Sequence, residues 1–199
     1  MTASITVRGA QALAALVCVA CSSRSPLPTA SRVEIDRFMG NWYVQGHVPA
    51  SSEKNAHNAV ESYAQDDRGR ILTTYAFRDG GFDGDVEVME PTGFVADDDS
   101  NAEWGMKFFR WLPIRMEYLV AYVDDDYSET IVGRTKRDYA WIMTREPEIS
   151  DARYERLVQR VVELGYAREA IRRVPQRWPD PEHPAARANG DLARFTRSE

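Results

Sequence analysis

At 199 residues, with 43 % hydrophobic and 11 % aromatic content, the chain can build one domain with a real core, which excludes general disorder. A net charge of −6 without any basic stripe excludes a nucleic-acid binder. Three histidines without metal-ligand spacing, and cysteines only at Cys18 and Cys21, give no metal site and no cofactor to expect.

Residues 1–20 carry one charge, Arg8, ahead of the apolar run Ala10 to Ala20. That run is about 11 residues long, where a membrane span needs roughly 20. The segment therefore reads as a secretory signal peptide. Cys18-Val19-Ala20-Cys21-Ser22 resembles the bacterial lipobox, which makes Cys21 the expected lipidation site and a lipid anchor the expected link to a membrane; plain secretion is the alternative. Cys18 stands where that pattern prefers leucine. Cleavage before Cys21 leaves a single cysteine, so no internal disulfide is expected. Residues 21–32 are polar and broken by Pro26 and Pro28, as in a tether.

The domain is expected over 33–175. Asp36 to Met39 suits one helical turn ending at Gly40. Eight strands follow: Asn41–Val48, Asn58–Gln65, Arg70–Phe77, Asp85–Ala96 with Pro91 at an edge or bulge, Ala102–Phe109, Arg115–Val123, Tyr127–Arg134 and Tyr139–Arg145. The two-residue period places Tyr75 with Phe77, Trp104 with Met106 and Phe108, and Tyr118 with Val120 and Tyr122. Short strands every dozen residues, without helices between them, indicate an antiparallel sandwich or an up-and-down barrel. A helix begins after Ser150, an N-cap, with Tyr154, Leu157, Val158, Val161 and Leu164 as its apolar stripe and Gly165 as its stop. Ile171 to Val174 can add a last strand, and the proline-rich residues 176–199 read as a disordered tail.

Three blocks then resemble the lipocalins, in their bacterial, apolipoprotein D-like branch. Gly40-Asn41-Trp42-Tyr43 is similar to the Gly-x-Trp signature, Tyr118 to Tyr127 to the branch's Tyr-x-Val…Asp-x-x-Tyr, and Arg137 to Arg145 to its last barrel strand. The resemblance covers Val33 to Pro175 and implies an eight-stranded antiparallel β-barrel, all-β, with one C-terminal α-helix outside it. It also implies that Gly40, Trp42 and Arg145 close the barrel, Arg145 stacking on Trp42. Its departures are Gly46-His47, where relatives carry Ala-Arg, the bulky loop Phe108 to Pro113, and the tail.

Such a barrel suits one small ligand. The expected lining is Tyr75, Phe77, Trp104, Met106, Phe108, Tyr118, Val120 and Tyr122, each equally readable as core filling. The family implies a fatty acid or lysophospholipid, bound at the cell envelope by an outer membrane lipoprotein facing the periplasm. Phe109, Trp111 and Leu112 can touch lipid, contact a second copy in a homodimer, or fold back onto the barrel. A filled barrel working through the Trp111 loop or the tail is the alternative function. Catalysis is not expected: no nucleophile motif or buried acid–base pair is visible, and Asp83–Asp85, Asp97–Asp99 and Asp124–Asp126 read as solvated turns.

Overall fold

The computed structural model describes residues 25–50, 53–96, 99–109 and 111–186. The expected signal peptide and the lipidation site Cys21 lie outside them. A single helical turn, α1 (Ile35–Phe38), leads into β1 (Gly40–Val48), β2 (Ala56–Gln65), β3 (Arg70–Asp79), β4 (Val86–Met89), β5 (Thr92–Val95), β6 (Glu103–Lys107), β7 (Met116–Val123), β8 (Glu129–Gly133) and β9 (Ala140–Thr144). Pairing is antiparallel throughout, and β9 returns to β1 to close the barrel.

The barrel has eight staves. β4 and β5 pair with successive stretches of β3, Tyr75 to Arg78 and Arg70 to Leu72, so they are halves of one stave broken at Glu90-Pro91. Pro91 has no N–H for the ladder, although its carbonyl still accepts from the Thr73 amide at 3.1 Å.

Two bulges change which faces look inward. In β1 the register shifts between Val44 and Gly46, so Trp42, Val44 and then His47 are buried while Gly46 packs under Tyr154. In β7 Val120 faces Val132 but Tyr122 faces Ile131, with Ala121 as the extra residue. Tyr122 is thereby turned outward, against the expectation that it shares a face with Tyr118 and Val120. Its ring lies under the Arg160 guanidinium, 4.2 Å away, outside the barrel.

Helix α2 (Asp151–Glu163) covers the outside as expected. Ser150 accepts from the Arg153 amide at 3.2 Å, and Tyr154, Leu157, Val158 and Val161 bury against Leu119, Ile131 and Ile142. Gly165 ends it with φ +92°, a left-handed conformation that side chains resist. Glu129 fixes the helix to β8: burial acts to raise its carboxyl, yet hydrogen bonds from Arg156 and Arg153 hold it at about 2.

Both flanks of the domain differ from expectation. Residues 25–32 are not a free tether: Leu27 is buried, and the Ala30 amide donates to the Val120 carbonyl at 2.8 Å. Residues 176–186 are a strap over the outer face of β1–β3 rather than a disordered tail. After β10 (Arg172–Arg173), which pairs with Gly46 and His47, Asp180 accepts from Arg78 Nε at 2.7 Å and Asn58 Nδ2 at 2.9 Å. Trp178 packs edge-on against Tyr43 and His183, and His183 is fully buried. A proline-rich, polar stretch lacks hydrophobic periodicity, but these few groups have partners waiting on the sheet.

Candidate functional site

Antiparallel connectivity sorts the loops onto two ends. The β2–β3, β5–β6 and β7–β8 connections share one end with α1. The β1–β2, β3–β4, β6–β7 and β8–β9 connections share the other.

The α1 end is closed by aromatic rings. Phe38 packs 5.1 Å from Trp42 and 5.3 Å from Trp104, and Trp104 stacks on Tyr118 with centroids 5.4 Å apart. Trp42 Nε1 donates to the Phe38 carbonyl at 2.8 Å. The Arg145 guanidinium lies 3.7 Å over the Trp42 ring and donates to the carbonyls of Asn41, Arg37, Phe38 and Met39. Burial lowers Arg145 to about 10, so it remains a cation at neutral pH. Gly40 adopts φ +94°, and a Cβ there would sit 3.4 Å from Arg145 Nη1. The expected closing trio Gly40, Trp42 and Arg145 is thus one contiguous lid.

Toward the other end the barrel contains a cavity of about 440 Å³. Four of the expected lining residues border it: Tyr75, Met106, Phe108 and Tyr118. Phe77, Trp104 and Val120 are buried in the surrounding core without bordering the space, and Tyr122 is outside. Met89, Pro91, Ile114, Met116, Tyr139 and Trp141 complete the apolar wall, with Phe109 and Leu112 at the rim.

The unexpected feature is acid inside the barrel. Glu53 and Glu61 both border the cavity and both are buried. Glu61 accepts from the Tyr118 hydroxyl at 3.0 Å and from Tyr63, and Glu53 accepts from Tyr75 at 3.0 Å. His47 Nδ1 stands 3.6 Å from Glu53 Oε2, a buried acid–base pair that sequence reading missed because the β1 bulge aims His47 inward. Burial, reinforced by the nearby Glu53 carboxylate and only partly offset by the Tyr118 hydrogen bond, pushes Glu61 up to about 8. Tyr75 and Tyr118 are raised well above the usual phenol value by the same burial. At neutral pH Glu61 is therefore an uncharged acid, able to donate as well as accept. Trp141 Nε1 is buried with no hydrogen-bond partner among the described residues.

The mouth has a different character. Arg134, at the start of the β8–β9 turn, is the basic residue among those bordering the cavity, and it reaches Asp138 at 3.3 Å. Glu117 is already engaged by Thr135, through its amide at 2.6 Å and hydroxyl at 3.0 Å.

Residues 33–176 match the family model described as a lipocalin-like domain. Among curated proteins, the chain is 27 % identical over 157 residues to temperature-induced lipocalin-1 of Arabidopsis thaliana, covering 75 % of this chain and 83 % of that protein. It is 28 % identical over 147 residues to the outer membrane lipoprotein Blc of Escherichia coli (strain K12), covering 71 % and 80 %. Among solved structures, insecticyanin from the tobacco hornworm Manduca sexta superposes with TM-score 0.59 at 14 % identity, over 77 % of this chain and 85 % of that one.

Proposed function

This chain belongs to the lipocalin-like family, whose members bind small hydrophobic ligands, and on that premise we propose that it stores or carries a fatty acid or a lysophospholipid, tail inward. The carrying observation is the cavity itself: about 440 Å³, apolar along its walls, in the range of roughly 300–1,000 Å³ used by small-ligand sites. An open space of that size speaks against the alternative of a filled barrel. The distribution of polar groups orients the ligand. The buried, apolar interior would penalise a charged head group by desolvation, whereas Arg134 at the mouth would attract one. An alkyl chain meets Met106, Met116 and Trp141, and the head group stays near Arg134.

The working place, in this reading, is the bacterial cell envelope: an outer membrane lipoprotein facing the periplasm, acylated at Cys21 after removal of residues 1–20. The relative named outer membrane lipoprotein Blc and the Cys21 motif support it.

Titrating hexadecanoate and lysophosphatidylcholine while following tryptophan emission tests the ligand. Saturable quenching, carried largely by Trp141, is expected. Emission unchanged by either amphiphile overturns the proposal. Intact-mass measurement of protein isolated from membranes tests Cys21, with an added acyl mass on the N-terminal peptide expected.

A further inference from the structure

Among the described residues five large apolar side chains are exposed, and four of them lie on the β6–β7 loop, led by Phe109 at 57 %, Trp111 at 79 % and Ile114 at 59 %. The fourth, Phe108, is exposed at 40 %. Phe109 and Trp111 pack ring to ring, 6.0 Å apart, with no cover from the rest of the domain. Single exposed apolar residues are ordinary, but a contiguous cluster marks a surface that meets something. The cluster surrounds the cavity mouth, since Phe108, Phe109, Leu112 and Ile114 all border the cavity.

The direction of the N-terminal segment identifies the occupant. Arg137, in the β8–β9 turn at this same end, donates to the carbonyls of Ser25 at 2.8 Å and Pro26 at 3.4 Å. Ser25 therefore lies beside the mouth, not at the closed end. Cys21 stands four Cα steps before Ser25, a reach of at most roughly 14 Å. A membrane holding the N-terminus would face the Trp111 loop.

We propose that the open end of the barrel seats on a lipid bilayer, with Phe109, Trp111 and Ile114 inserted at its interface. The inference takes its orientation from the reading of Cys21 as an anchor, but the loop contact is a separate interaction. Tryptophan is suited to the interface because its ring is apolar and its N–H remains hydrated. The cavity mouth then opens onto the bilayer, and an amphiphile passes between them without crossing water.

The test uses the full chain and vesicles of phosphatidylcholine, with and without bromine on the acyl chains near the head group. Brominated lipid is expected to quench Trp111, seen as loss of most lipid-sensitive emission in Trp111→Phe while that variant still binds vesicles. Trp111→Glu should weaken partitioning about tenfold or more, since one large apolar side chain leaves the interface. Hexadecanoate binding in Trp111→Glu should be unchanged, because Trp111 does not border the cavity. Equal bromine quenching of the wild-type chain and Trp111→Phe overturns the proposal, even if an acylated N-terminus still holds the protein on vesicles. So does binding that collapses at roughly 1 M salt, where the Debye length is about 3 Å. A lipid-free oligomer dispersed by Trp111→Glu, without lipid quenching, assigns the surface to a second copy instead. Loss of hexadecanoate binding with intact loop quenching defeats the ligand reading alone.

Discussion

Tyr118 on β7 donates its hydroxyl to the Glu61 carboxyl on β2 at 3.0 Å, joining opposite walls of the barrel by a bond that borders the cavity. The pair is a neutral hydrogen-bonded unit at pH 7, since burial holds Glu61 up at about 8.

Affinity for a long-chain amphiphile should fall as pH rises through about 8, because ionised Glu61 draws water beside the alkyl chain. Glu61→Gln should remove that step while retaining binding at pH 7. Titrations at several pH values read both effects, and an unaltered step in Glu61→Gln would refute the assignment.

Stability should respond in the same residue with a definite sign. Glu61 keeps its proton in the fold up to about 8, whereas an unfolded chain releases it near 4.5. Between those values the folded state binds more protons, so stability falls with rising pH, by on the order of 5 kcal/mol in total. Denaturant melts across this window should show the loss, flattened in Glu61→Gln.

Asp180 behaves oppositely. The Arg78 guanidinium beside it holds its carboxyl far below the usual range, so its contribution is present above about 3.8 and lost as pH falls below it. Asp180→Ala takes the bidentate partner from buried Arg78 and leaves it only Glu182 and the Gly84 carbonyl, an expected cost of about 1–3 kcal/mol. Amide exchange should speed up in residues 176–186 first, ahead of the barrel strands.

Arg145→Ala should destabilise by about 2–4 kcal/mol, losing both the stack on Trp42 and several carbonyl hydrogen bonds. Arg145→Lys should recover only part of it, since an ammonium lacks the planar fork. Thermal melts of the three proteins rank the effect.

Position within the wall should decide ligand effects. Met116→Trp narrows the cavity and should lower hexadecanoate affinity about tenfold or more. Tyr122→Phe should leave affinity unchanged, because that ring sits outside under Arg160. Equal losses in both would contradict the inward and outward assignments of β7.

Local chemistry was enough to read the run of antiparallel strands and α2 with its Ser150 cap and Gly165 stop. The choice of a barrel over a sandwich, and the Gly40, Trp42 and Arg145 closure, came from the family resemblance of three short blocks. The strands and α2 depend on periods of two and 3.6 residues and on residues with singular backbone properties. Inward lining was legible on strands that keep their alternation, as for Tyr75 and Met106. It was lost for His47 and Tyr122, where a bulge inverts the alternation and only cross-strand pairing determines its position. Glu53 and Glu61 look like surface acids in a one-dimensional reading, and only the closed sheet surrounds them with tyrosines that make a buried carboxyl tolerable. The strap at 176–186 likewise depends on partners more than a hundred residues away, Asn58 and Arg78, which no local pattern connects to Asp180.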